Sequence, residues 1–465
     1  MTLDEIIIGR KVTLQEVLDA RERRVMRQRK LLRLAPCLIS YTLNIPGEVK
    51  QYPVAKSFFK RGLCRLKRAL ERAKFDVVHE ESFTENAGNE AFLCVNADPL
   101  KVKRIACALE ESSVSSRLYD MDVLNSKGEK LSRTDIGLEG RKCIVCGNDV
   151  SICAPRRKHS AEELAHAAAS MMWNCLTGEF ADLTAACAQR ALLYEVCTTP
   201  KPGLVDRANS GSHSDMDIFT FADSASSLAP YFRSCAAFGI ENSHLAPQKL
   251  LFLLRLPGME AEDAMFSATG GVNVHKGAIF SFGLFCAAAG AFWVEGKKLI
   301  AEDLGDFVSE MSGRLDEDFK APCSSNGEKI HAKTGISGAR GEAQKGFPSA
   351  VKVGLPMFRS LVEKGNSIND SAAATLLHLI TEIDDTNMIK RGGLEQFRLE
   401  QQRIRQLTAN NPVVDLKTLS ELDKHYISKN LSPGGSADML ALTLLLYFLE
   451  KLSVPSEALI KGADA

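Results

Sequence analysis

The chain has 465 residues, 45% hydrophobic and 25% charged, which is a globular composition and too much chain for one ordinary core. Its 58 basic and 58 acidic residues cancel, so bulk charge points to neither nucleic acid nor an anionic membrane as a partner. The 13 cysteines lack a secreted-scaffold spacing and Met1 to Arg10 has no apolar core, so no signal peptide is expected, and reduced thiols in the cytoplasm are.

Thr13-Leu14-Gln15-Glu16 is a capping box, and a charged helix to about Arg33 follows it. Pro36 to Ile45 reads as a strand, Val54 to Ala73 as an amphipathic helix, and Phe75 to Glu80 and Ala91 to Asn96 as a hairpin turning at 86–89. Asp98-Pro99 caps a helix to about Glu111, and Arg117 to Leu124 is a fourth strand. The order β-α-β-β-α-β predicts an α+β first domain, a ferredoxin-like or palm-like plait. Residues 136–158 read as loop. Ser160-Ala161-Glu162-Glu163 is a second capping box, and almost everything after it has helical periodicity. Helices are expected at 182–197, 216–229, 246–256, 276–294, 301–315, 349–363, 371–383, 394–407, 415–430 and 437–452. The chain therefore reads as multi-domain: residues 1–170 form the plait and residues 171–465 an all-α domain, with the boundary falling between about 165 and 178. Residues 1–170 hold about 30 basic against about 23 acidic residues, much of the excess in the helix around Arg21 to Lys30. The apolar run Met439 to Leu449 is too short to span a bilayer, and no membrane partner is expected.

Asp120-Met121-Asp122 lies on the fourth strand, where alternation puts both carboxylates on one face. Such a pair can hold Mg²⁺ against a polyphosphate, although an exposed strand face gives the same pattern. Asp135 is either a third carboxylate or a turn cap. Arg117, Asn44 and Lys50 are candidates for phosphate and ribose contacts, with ordinary turn chemistry the other reading around Pro46-Gly47. Cys143, Cys146, Cys153 and His159 have the residue types of a structural zinc site; free thiols in a loop are the alternative.

In the all-α part, polar residues cluster in loops and at helix starts. One cluster runs from Thr199 through Lys201 and Asp206 to Asn209, His213, Asp215 and Asp217. A second holds Gly270, Gly271, Asn273, His275 and Lys276 at a helix N-terminus, which suits phosphate, though it is not a Walker motif. Others are Arg340-Gly341-Glu342, Asp384-Asp385 with Asn387 and Lys390, and Ser432 to Asp438 with Gly434 and Gly435. Each Asp alone reads as a cap. Together they suggest one site built from many helix ends, with Mg²⁺ on Asp206, Asp384, Asp385 and Asp438.

Lys201-Pro-Gly-Leu-Val-Asp206, Gly271-Val-Asn-Val-His-Lys-Gly277, Asp385-Thr-Asn-Met-Ile389 and Ser432-Pro-Gly-Gly-Ser-Ala-Asp438 resemble the triphosphoribosyl-dephospho-CoA synthase family, over about residues 178–455. Arg21-Glu-Arg-Arg24, Thr42-Leu-Asn-Ile-Pro-Gly47, Arg117-Leu-Tyr-Asp-Met-Asp-Val123 and Ser132-Arg-Thr-Asp-Ile-Gly137 resemble the apo-citrate lyase phosphoribosyl-dephospho-CoA transferase family, over about 10–165. The resemblance implies a fusion. Its all-α part would join ATP and dephospho-CoA into the triphosphoribosyl conjugate and release adenine. Its first part would transfer that conjugate to a serine of the apo acyl-carrier subunit of citrate lyase and release pyrophosphate. On that reading Asp206 or Asp385 acts as base, His275 or His213 protonates adenine, and Lys201 and Lys276 hold the triphosphate. Asp120 and Asp122 bind Mg²⁺, and Arg24 joins the phosphate contacts. A Mg²⁺-dependent ADP-ribosyl-hydrolase-like enzyme, a nucleotide- or CoA-sensing module, and a version serving malonate decarboxylase are the competing readings.

Overall fold

The computed structural model describes residues 3–153, 155, 156, 158–313 and 338–460. The far end of the helix expected at 301–315 lies outside them. The chain divides into two compact units, Met1–Gly178 with Glu457–Ala465, and Glu179–Ser456.

In the first unit, α1 (Leu14–Leu31) starts at the predicted capping box, with Thr13 and Glu16 exchanging both cap bonds. Then come β1 (Cys37–Leu43), α2 (Pro53–Arg72), β2 (Asp76–Glu85), β3 (Gly88–Asn96), α3 (Pro99–Glu111) and β4 (Tyr119–Asn125). The strands form one sheet in the order β2-β3-β1-β4, antiparallel at every pairing. On one face α2 is pinned by aromatic stacking, Tyr41 on Phe59 at 4.6 Å and Phe58 on Tyr119 at 4.9 Å. On the other face Leu31 of α1 packs with Leu38, Phe92, Cys94 and Leu124. The register puts Ser40 opposite Asp122 and Thr42 opposite both Asp120 and Glu90. That second face is therefore apolar at one end and polar at the other. After β4 the chain makes a short helix, α4 (Val150–Cys153), and enters α5 (Ala161–Cys197).

α5 is one continuous helix of 37 residues, where the sequence reading had one helix from Ser160, with the boundary inside or just after it, and a separate one over 182–197. The division between the units falls within it. The second unit continues with α6 (Ile218–Glu241), α7 (Pro247–Ala268), α8 (Lys276–Val294), α9 (Ala301–Ser312), α10 (Gly338–Gln344) and α11 (Leu355–Glu363), the last preceded by a π turn at Ser349–Gly354. It ends with α12 (Ile368–Glu382), α13 (Thr386–Thr408, broken at Gly393), α14 (Leu416–Ser428) and α15 (Gly434–Leu449). α6 and α7 run through Pro230 and Pro257, where the sequence reading had stopped them. Each proline removes one backbone bond, but α6 buries Ala225, Leu228, Phe232 and Cys235, which outweighs that loss. α6 and α8 cross with backbones in contact: a Cβ on Gly290 would lie 2.1 Å from the Ala236 carbonyl, and one on Gly239 lies 1.9 Å from that of Ala287. α8 is apolar on all sides and long enough to cross a membrane, yet 89% of its most apolar window is buried in the unit, as a central core helix is.

Candidate active sites

The first unit contains a cleft of about 1060 Å³ whose lining includes Asn44, Lys50, Glu110, Arg117, Arg133 and Arg141. The three sequence candidates Asn44, Lys50 and Arg117 thus come together. Lys50 donates to the Ile45 carbonyl, and its burial, with Arg21 nearby, lowers its pKa. Arg117 sits before β4, on a 3-10 turn at Ser115–Leu118, and its guanidinium donates to the carbonyls of Lys142 and Cys143.

Asp120 and Asp122 are half-buried on β4, while Met121 between them is fully buried on the opposite face. One oxygen of each is held by a cation: Arg141 reaches Asp120 at 3.0 Å and Lys130 reaches Asp122 at 2.6 Å. Arg141 also reaches Glu110 at 2.7 Å, and Arg133 reaches Glu110 at 3.3 Å. Glu110 is 3% exposed and accepts the Met121 N–H at the sheet edge. Burial raises its carboxyl pKa, against the pull of Arg141. Glu110, Arg133 and Arg141 were missed from sequence because Glu110 ends a helix and both arginines sit in loops, without a local signal. Arg24 pairs with Glu90 at 2.6 Å and does not line the cleft. Asp135 takes the turn reading, since it accepts the Ser132 N–H at 2.8 Å.

Cys143, Cys146, Cys153 and His159 lie together, with one ligand atom of each within 4.8 Å of the others. The His159 imidazole beside Cys146 brings that thiol down to about 6.

The second unit gathers its polar residues in the helical interior. Asp206 organises the Lys201–Asn209 loop by accepting the backbone N–H groups of Lys201, Ala208 and Asn209 at 2.9, 2.6 and 3.1 Å. Asp423, which the sequence reading missed, accepts from Gly203 and Asn209 at 2.9 Å each. Lys201 is 1% exposed and its ammonium is committed to the buried Glu195, so it does not present a free cation to a triphosphate. Asp385 is likewise saturated: one oxygen accepts Asn387 and Met388 N–H, the other accepts Ser436 N–H and hydroxyl. It ties the starts of α13 and α15 together. Burial raises its pKa, and those donors oppose the rise. Asp384 is exposed and pairs with Arg398 at 3.1 Å.

His275 is buried at the start of α8, with Nδ1 2.7 Å from the Ser224 hydroxyl and Nε2 lacking any hydrogen-bond partner among the described residues. Burial, with Lys201 adding to it, lowers its pKa to about 3. The ring is therefore neutral rather than an imidazolium at pH 7, and carries one ring proton. His213 contacts Ser432 at 2.9 Å, and burial lowers it as well. Two residues past His275, Gly277 makes room for Asp438: a Cβ there would sit 2.4 Å from its carboxylate. Asp438 is half-buried with no hydrogen-bond donor among the described residues. Burial, then Glu195 and Asp385, pushes it up to about 7.

Lys276 is 54% exposed and pairs with Glu262 at 2.6 Å, and the Asn273 side chain accepts the Lys276 N–H at 3.4 Å. Asn387 and Lys390 are exposed at the start of α13. Gly434 lies against Asn387 and Gly435 against Asp385, where Cβ atoms would come to 2.7 and 3.3 Å. Arg340 is half-buried on α10.

Residues 12–175 match the family described as apo-citrate lyase phosphoribosyl-dephospho-CoA transferase, CitX, and residues 181–456 match ATP:dephospho-CoA triphosphoribosyl transferase, CitG. Protein CitXG of Haemophilus influenzae is 36% identical over 457 residues, covering 95% of this chain and 97% of its own. The chain belongs to the CitXG family. Protein CitXG of Leuconostoc mesenteroides subsp. cremoris is 34% identical, covering 94% and 97% of the two chains. The CitG region alone is 41% identical over 260 residues to the 2-(5''-triphosphoribosyl)-3'-dephosphocoenzyme-A synthase of Pectobacterium atrosepticum, covering 55% of this chain and 86% of that one. The chain is a bifunctional transferase of citrate lyase prosthetic-group synthesis and attachment.

Proposed function

We propose that the CitG region uses Asp438 as the general base in joining dephospho-CoA to ATP. The observation that carries this is a carboxyl held near 7 with no donor upon it among the described residues, packed against Gly277 at the start of α8, the helix start where buried His275 leaves its Nε2 unpartnered. A base poised at the working pH combines a useful deprotonated fraction with a real affinity for the proton. In the reaction the ribose 2'-hydroxyl of dephospho-CoA attacks the anomeric carbon of ATP. The C–O bond forms as the C–N bond to adenine breaks, and the hydroxyl proton goes to Asp438; the departing adenine takes its proton from solvent, and Asp438 then returns one to solvent, so that no net proton is released. Neutral His275 offers Nε2 to the substrate as a hydrogen-bond partner. Asn387, Lys390 and the N-terminus of α15 supply exposed donors for the triphosphate.

In the CitX region the cleft with Arg117, Arg133 and Arg141 takes the conjugate's phosphates, and a serine of the apo acyl-carrier subunit attacks the α-phosphorus. Asp120 and Asp122 each keep an oxygen without a partner among the described residues, so they fit as ligands to Mg²⁺. The ion would offset charge on the phosphates and on departing pyrophosphate. Asp206, Asp384 and Asp385 do not make such a set in the CitG region, because donors or an arginine already occupy them. The strand order favours a ferredoxin-like plait for the first unit, and we place the protein in the cytoplasm.

The test is incubation with ATP, Mg²⁺ and dephospho-CoA, with mass spectrometry of the products. Adenine together with the conjugate, followed by modification of added apo-carrier protein, is expected. Adenine with free triphosphoribose would make the CitG region a hydrolase.

A further inference from the structure

We infer that Cys143, Cys146, Cys153 and His159 form a closed, structural Zn²⁺ site in the wall of the CitX cleft. Three thiols and an imidazole are the donor set that zinc takes in structural sites, four ligands with no open position. Tetrahedral zinc at the usual bond lengths sets sulfur atoms about 3.8 Å apart. Here one ligand atom of each residue lies within 4.8 Å of the others, and the Cys146 and Cys153 sulfurs are 3.3 Å apart.

The backbone is built to make that approach. Cys143 and Cys146 sit on a tight turn in which Gly147 N–H donates to the Cys143 carbonyl at 3.0 Å and Cys143 N–H donates to Asn148 at 2.6 Å. Gly147 takes a φ of +72°, which a side chain would resist. Asp149 then accepts from Ser151 at 2.8 Å and starts the single turn of α4 that delivers Cys153. A second observation points to a ligand: His159 Nε2 is buried with no hydrogen-bond partner among the described residues. A buried polar atom left unpaired is costly, and a metal bond would remove that cost.

Charge agrees as well. Zn²⁺ on three thiolates carries a net negative charge, and Arg141, Lys142, Arg156 and Lys158 belong to the same segment. A Cys146–Cys153 disulfide is the chemical alternative, but it leaves Cys143 and His159 without a role, and 3.3 Å is far beyond an S–S bond.

Cys143, Cys153 and His159 line the cleft, Arg117 donates to the Lys142 and Cys143 carbonyls, and Arg141 bridges Glu110 and Asp120. The metal therefore braces the wall that holds the cleft's arginines. This consequence, unlike the site itself, rests on the transferase reading.

The experiment is elemental analysis of the full chain purified under reducing conditions without chelator, together with Co²⁺ substitution. About one zinc per chain is expected, with the intense tetrahedral bands and thiolate-to-metal charge transfer of a thiolate-rich cobalt site. C146S and C153S lose the metal, while C64S, at an exposed cysteine outside the cluster, keeps it. Metal-free wild-type protein that takes up neither ion, wild-type stoichiometry in C146S and C153S, or a trapped Cys146–Cys153 disulfide overturns the site. If zinc is bound but its removal leaves carrier modification unchanged, the bracing role fails and the site stands.

Discussion

The two halves of the molecule handle polar chemistry in opposite ways. The CitX unit sets carboxylates and arginines on a sheet face and in a cleft, where Asp120 and Asp122 are half-buried with one oxygen each held by a cation. The CitG unit buries its charges between helices and satisfies nearly all of them with backbone donors and each other. Asp206, Asp385 and Asp423 hold loops in place, and Lys201 holds Glu195. Against that background Asp438 and His275 Nε2, each without a hydrogen-bond partner among the described residues, are the groups proposed to meet the substrate.

Substitutions can break this contrast. Asp385→Ala strips the acceptor from four donors at once, three of them buried. It should lower the stability of the CitG unit by roughly 3–5 kcal/mol, read as an earlier denaturant transition. A catalytic Asp385 with no structural duty would instead leave stability unchanged. Asp120→Asn removes a charge that Arg141 balances and a proposed Mg²⁺ ligand. It should slow carrier modification by roughly 10²-fold, while adenine release stays at the wild-type rate. Equal loss of both activities would end the separation of sites. Lys276→Ala removes a half-exposed pair with Glu262 and should cost under about 1 kcal/mol in a thermal melt.

Local signals were legible in the sequence. The capping boxes at Thr13 and Ser160, the N-cap Asp98, the four strands and the facing of Asp120 and Asp122 all follow from residues a few positions apart. What failed was tertiary in origin. Pro230 and Pro257 do not end their helices, because packing overrides a single lost bond. The sequence named Lys201 and Asp385 as substrate or catalytic residues from their loop and helix-start positions. Their partners Glu195 and Ser436 lie on other elements, 6 and 51 positions away, and only those partners show how fully the two side chains are already engaged. Asp438 was named as a metal ligand, but nothing in its motif reveals that it alone among these carboxylates lacks donors.

The most direct test compares Asp438→Asn with wild type in two separate assays: adenine release from ATP and dephospho-CoA, and transfer of preformed conjugate to the apo-carrier protein. The variant should lose adenine release by about 10²–10⁴-fold and retain transfer. Because a raised carboxyl is protonated below its pKa, wild-type kcat/KM for adenine release should rise with pH through about 7 and flatten above it. Adenine release that survives in the variant, or a pH profile flat from 5 to about 8, would contradict the account.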